Sequence, residues 1–217
     1  TIYYRIIPII LANKDYSAVK DEVIKNVLYT NGNIEILIET LVLSKLFYLL
    51  ISKEEDIIIK LKEEVINLSQ TEFLDNYKDS FRISVEEYGG NYKVEFEQNK
   101  IFALNTLNRI YSQKFKVLED CIEVYTNQEA GTMALGKIAE SFKDTNYSKK
   151  IDLDSYYKEL GIYIYKLRKG RINPEVLKID KYYLPDIFQL ELDQTFYHSL
   201  LSKSKIIRKE KIGSRII

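Results

Sequence analysis

The chain has 217 residues, of which 46% are hydrophobic and 29% charged; this suffices for one substantial core and excludes a disordered chain. Lysine plus arginine equals aspartate plus glutamate at 32 each, so no global field favours nucleic acid or an anionic membrane. One cysteine excludes an internal disulfide and, with no signal peptide or membrane-spanning run, points to the cytoplasm.

Three prolines and eight glycines are sparse punctuation, which favours long helices over a many-turned β fold. Residues 1–11 are apolar around Arg5 and Pro8 and fit a short helix or a buried extended lead-in. Asp15 is placed to cap a helix through about Tyr29, with Val19, Val23, Ile24 and Val27 on one face. Thr30-Asn31-Gly32-Asn33 is a stop and restart: Gly32 suits a left-handed C-cap and Asn33 an N-cap. The next helix, Ile34 to about Ser52, is apolar nearly all round and therefore central. Its Glu35, Glu39 and Lys45 suit a core helix with one wet edge better than a bilayer span.

Lys53-Glu54-Glu55-Asp56 opens a helix over 54–68, where acidic residues complement the helix dipole. That role explains the cluster without an acid/base pair. Another helix spans Thr71 to Ser80. The period then changes to two at Phe81, Ile83 and Val85, and again at Tyr92, Val94 and Phe96 after Gly89-Gly90. This predicts a small β-hairpin or paired extended loop near 81–97. Helical spacing resumes at Ile101–Ile110 and Phe115–Val124, where Cys121 lies among Val117, Leu118 and Ile122 as a buried, inert thiol. After a polar interruption at Thr126–Thr132 come a small-residue helix, Ala134–Phe142, and two closing helices, 152–169 and 186–203. The fold class is all-α: a multi-helix bundle forming one helical domain over 1–217.

Two features together resemble the ADP-ribosylglycohydrolase family. The first is Tyr4-Arg5-Ile6-Ile7-Pro8, a helix, and then Thr30-Asn31-Gly32-Asn33 opening an apolar helix. It is similar to the family's Met-Arg-x-x-Pro and Thr-His-x-x pattern. The second is the order and spacing of Phe102–Phe142, similar to an apolar helix, an acidic helix, Gly-Gly-Asp-x-Asp-Thr and a small-residue helix. Gly90-Asn91-Tyr92-Lys93-Val94 resembles the family's Gly-Tyr-Val stretch. The similarity covers residues 3–145, leaving 146–217 as a C-terminal helical extension.

The resemblance implies a helical bundle that binds two divalent ions, usually Mg²⁺ or Mn²⁺, and cleaves ADP-ribosyl bonds. Mg²⁺ takes hard carboxylate oxygens in near-octahedral geometry. The positions similar to the metal motif are Asn127, Gln128, Glu129, Ala130, Gly131 and Thr132. Glu129 keeps a carboxylate and Thr132 a hydroxyl as vestigial ligands, while Gly131 stands where the second carboxylate belongs. Asn127, Gln128, Gly90 and Tyr92 are the implied ligand-contacting residues. The early Gly-Asp and Asp-Asp-Thr motifs of the family are not in this sequence, which fits either loss or a piece of a longer protein. The expectation is no cofactor for this chain as it stands, and two Mg²⁺ if other segments complete the site. The partner expected is ADP-ribose or an ADP-ribosylated substrate. On the residues alone, Thr126 to Glu129 reads equally as a capping box.

Three functions follow: a divergent hydrolase with impaired or lost activity, the same bundle kept as a non-catalytic binding or scaffold module, and an unrelated helical interaction domain. The last would use the basic tail Lys203, Lys205, Arg208, Lys209, Lys211 and Arg215, and would separate residues 30–33 from 126–132. The lone His198, on the final helix, lacks the partners that metal or triad chemistry needs. Tyr163, Tyr165, Tyr182 and Tyr183 offer a surface for a protein partner.

Overall fold

The computed structural model of the chain describes residues 2–82, 84–127, 130–143, 154–170, 185–198, 202–209, 211–212 and 215–216. The chain divides into two compact units, Thr1–Arg171 and Ile172–Ile217. The first is a multi-helix bundle, and the second carries short antiparallel strands.

The bundle is organised by local caps and one buried helix. Helix α1 (Ile2–Ala12) buries Ile6 and Ile10, one turn apart. Helix α2 (Tyr16–Thr30) starts at Asp15, whose carboxylate accepts the Ser17 N–H at 3.0 Å. Helix α3 (Ile34–Ser52) starts at Asn33, whose side chain accepts the Ile36 N–H at 3.1 Å. Leu37, Ile38, Leu41, Val42, Leu43 and Leu46 of α3 are fully buried. The apolar pattern all round the helix is matched by neighbours on several sides: α1 and α2, then α4 (Ile57–Ile66), α6 (Tyr92–Leu107), α7 (Lys116–Asn127) and α8 (Ala134–Lys143). Gly32 is not a left-handed cap. Asn31 ends α2 in extended conformation, φ −153°, and its side chain accepts the Asn33 N–H at 2.8 Å, which turns the chain without a positive φ.

The acidic cluster falls ahead of its helix rather than in the first turn. Lys53 and Asp56 both adopt left-handed backbone, φ 54° and 55°, so α4 begins only at Ile57. Glu54 instead pairs with Lys60 at 2.7 Å. Helix α5 (Gln70–Tyr77) is capped by Ser69 and runs into a 3-10 turn at Lys78–Ser80. Beyond it, the part of the 81–97 segment up to Asn91 is a loop with a second 3-10 turn at Val85–Glu87, and no strand forms there among the described residues. At Tyr92 the chain enters α6, not a strand. Asn91 accepts the Val94 N–H at 3.2 Å, and Tyr92, Phe96, Asn99 and Ala103 bury one helical face.

A buried carboxylate fixes where α7 begins. Glu39 of α3 accepts the Val117 and Leu118 N–H groups on Oε1 at 3.1 and 3.0 Å, and the Tyr3 hydroxyl on Oε2 at 2.5 Å. Those amides belong to the α7 first turn, whose donors have no intrahelical acceptor. Burial holds the Glu39 carboxyl above its ordinary range, against the lowering pull of its hydrogen bonds. Helix α9 (Ser155–Arg168) lies against α1. Arg168 holds it there, donating to Ile10 O at 2.9 Å, to Asn13 O and to Ser52 Oγ.

In the second unit the helix expected over 186–203 is absent from the described residues. A 3-10 turn at Ile187–Gln189 leads to β1 (Thr195–His198), paired antiparallel with β2 (Ser202–Lys205). Thr195 opposes Lys205, and Tyr197 opposes Lys203. Thr195, Phe196 and Tyr197 are β-branched or aromatic, and their burial alternates as a strand requires. His198 is therefore a strand residue. Part of the basic tail lies in β2, β3 (Lys211–Ile212) and β4 (Arg215–Ile216) rather than on a final helix.

Candidate functional site

A cavity of about 570 Å³ opens where the α2–α3 turn meets the loop before α6. Leu28, Thr30, Asn31 and Gly32 form one wall; Phe81, Arg82, Ser84, Val85, Glu87, Tyr88, Gly89 and Tyr92 form the other. Gly32 brings backbone close to the aromatic wall: a Cβ built there would stand 3.9 Å from Phe81 Cδ1. Thr30 belongs to the Thr30–Asn33 turn and Tyr92 to the Gly90–Val94 stretch, the two segments singled out by the resemblance. The structure therefore brings Thr30, Asn31, Gly32 and Tyr92 together. Gly90 is one residue removed from the lining and faces Glu95, whose Oε1 would meet a Gly90 Cβ at 2.2 Å.

Three rings shape the second wall. Phe81 and Tyr88 each meet Tyr92 edge to face, at 5.5 and 5.4 Å between centroids. Phe73 backs Phe81 and Phe96, at 6.4 and 5.4 Å, so the wall is continuous with the core. The Tyr88 hydroxyl donates to Glu95 Oε2 at 2.5 Å; burial first, then that carboxylate, push its phenol up to about 12. Tyr92 is 5% exposed, and its buried hydroxyl has no hydrogen-bond partner among the described residues. Native buried polar groups are nearly always paired. Arg82 lines the cavity and forms no ion pair among the described residues, and Arg5 donates to Thr30 Oγ1 at 2.6 Å. Phe81, Arg82 and Tyr88 are not among the residues picked from sequence. Their one signal is aromatic and basic residues clustered beside Gly89-Gly90, which the period-two pattern obscures.

Thr132 lies elsewhere, in a separate depression of about 480 Å³ that shares no lining residue with the first cavity. Its backbone N–H and hydroxyl both donate to Asp120 Oδ1, at 2.9 and 2.5 Å, and Met133 N–H donates to Asp120 Oδ2 at 3.0 Å. Asp120 of α7 thus caps α8 from outside. Glycines make this possible. A Cβ on Gly136 would stand 1.9 Å from Asp120 Oδ2, and one on Gly131 would stand 2.3 Å from the Gly136 carbonyl carbon. Gly131 is a packing residue here, because a carboxylate side chain at that position has no room to leave the backbone. Thr126 does not form a capping box. It sits in the last turn of α7 and donates to Ile122 O at 2.8 Å. Asn127 ends the same helix and donates to Glu123.

The described residues of this junction do not fit a two-ion centre. Both Asp120 oxygens are engaged by Thr132 and Met133, the Thr132 hydroxyl is spent on Asp120, and no three Asp, Glu, His or Cys side chains converge among the described residues. Gln128 and Glu129 lie outside the described residues.

Cys121 is fully buried, and burial, then Asp120 and Glu39, push its thiol well up. That makes it inert at neutral pH, since the thiolate is the nucleophile. Tyr163 and Tyr165 of α9 are 48% and 51% exposed, whereas Tyr182 and Tyr183 lie outside the described residues. Among the described residues no helix is long and apolar enough to cross a membrane. No family model, no curated protein and no solved structure matches the chain.

Proposed function

We propose that the first unit is an ADP-ribosylglycohydrolase-like bundle kept as a binding module, which holds an ADP-ribosyl group without hydrolysing it. One observation carries this reading, while the separation of Thr132 from the same cavity is what an unrelated interaction domain would show. Two segments about 60 residues apart in sequence, each similar to a family motif, line one aromatic cavity. Its volume, about 570 Å³, lies within the usual range for small-ligand sites. The lost activity rests on the α7–α8 junction, where Asp120 and Thr132 satisfy each other and Gly131 leaves no space for a carboxylate. The cytoplasm is the compartment that suits the buried free thiol of Cys121.

Calorimetric titration of the full chain with ADP-ribose tests the proposal, alongside release of ADP-ribose from a modified protein with Mg²⁺ present. Binding without release is expected. Metal-dependent release would overturn the non-catalytic part, and absence of binding would overturn the whole.

A further inference from the structure

Resting on that reading of the cavity, we infer that Arg82 and Arg5 are its anion-binding residues, and that they select ligands carrying a diphosphate over the bare nucleoside. Arg82 is a lining residue of the cavity and has no ion-pair partner among the described residues. A cation left unpaired beside three aromatic rings is available to an incoming anion. Arg5 reaches the same rim from α1. One of its N–H groups is fixed on Thr30 Oγ1 at 2.6 Å, and Thr30 itself lines the cavity. That bond orients the guanidinium while leaving its other donors for a ligand, and a guanidinium fork matches phosphate oxygens geometrically. The start of the 19-residue helix α3, immediately after the lining residues Asn31 and Gly32, adds partial positive charge on the same side.

The remaining lining suits the rest of a nucleotide. Phe81, Tyr88 and Tyr92 offer ring edges and faces to a planar base, the contact used in aromatic stacking sites. Glu87, the one carboxylate among the described lining residues, is of the kind that accepts hydrogen bonds from ribose hydroxyls. The buried Tyr92 hydroxyl is an unused polar group in the same wall. The chemical class assigned to the cavity is therefore a nucleoside diphosphate, with its charged end at the two arginines.

Isothermal titration of the full chain with adenosine, ADP and ADP-ribose tests this, using wild type, Arg82→Gln and Arg5→Gln. Both arginines are exposed, so circular dichroism and melting curves should confirm unchanged folding. Wild type is expected to bind ADP at least about tenfold more tightly than adenosine, the order expected for charge-assisted bonds. Each substitution should shrink that gap about three- to tenfold, weakening ADP binding more than adenosine binding. Salt should narrow the gap in wild type and less so in the variants. An ADP-to-adenosine ratio that survives both substitutions overturns the inference while leaving the cavity reading intact. Failure of all three ligands to bind removes the reading itself, and the inference with it.

Discussion

Gly136 is the space through which Asp120 reaches the start of α8: a side chain carbon at 136 would stand 1.9 Å from Asp120 Oδ2. The carboxylate then accepts three hydrogen bonds, two from Thr132 and one from Met133, in the turn that leads into α8. The α7–α8 pair is held by this cap as well as by its apolar seam of Leu118, Ile122, Leu135 and Ala139.

Gly136→Ala should therefore destabilise the chain by about 2–3 kcal/mol, the order of a lost cap plus overpacking. Gly131→Ala should cost at least as much, because its new carbon meets backbone atoms rather than a flexible side chain tip. Urea denaturation of both variants measures this. A loss below about 0.5 kcal/mol, the ordinary level for surface changes, would sink the argument.

Glu39 makes stability depend on pH with a definite sign. Burial raises its folded value above the ordinary 4.5, so the folded chain holds this proton more tightly than the unfolded chain. The stabilising contribution is complete below the unfolded value and disappears as pH rises through the folded one. Glu39→Gln keeps an acceptor for Val117 and Leu118 and carries no buried charge. The stability of Glu39→Gln relative to wild type should therefore increase as pH rises above the ordinary carboxylate value. Parallel stability curves for the two proteins would contradict this. Glu39→Ala instead leaves amides unpaired and should cost about 2–4 kcal/mol throughout.

Arg168 ties α9 to the ends of α1 and α3, through Ile10, Asn13 and Ser52. No residue of α9 is fully buried, so this side chain is a large part of its attachment. Arg168→Ala should speed amide exchange across 155–168 by about tenfold or more while leaving α3 amides protected, as expected for a local opening. Equal acceleration in α3 would show that the bond supports the whole bundle.

Cys121 should resist an aromatic disulfide reagent in the native chain and react at once in denaturant. Its thiol is buried and pushed up by burial. Rapid native labelling would mean that α7 opens readily.

The start of the bundle was legible because its cues are local. Asp15 and Asn33 are short polar residues before apolar runs, and both cap as their chemistry requires. The centrality of α3 follows from apolar residues on every side. The start of α6 was obscured because Tyr92, Val94 and Phe96 alternate, although only Tyr92 and Phe96 are buried and Val94 is 48% exposed. The period-four pair carried the helix, with Asn91 as its cap. Asp120 capping a helix that starts fourteen residues later depends on tertiary approach through Gly131 and Gly136, which no local pattern records. The same holds for Arg82, whose place in the cavity lining rests on a loop folding back to the α2–α3 turn. In the second unit, Thr195–His198 has no period-two pattern of polar and apolar residues, so the strand was not distinguished from the helix expected over 186–203.

The Glu39 contact also sets an order of events during synthesis. Residues 117 and 118 emerge long after α1–α3 are complete, so the early helical hairpin carries a carboxylate with Tyr3 but without its two amide donors. Protonation or water must satisfy that group until α7 arrives. A chain cut short before Lys116 lacks both amide donors and leaves an unmatched carboxyl in its most buried helix.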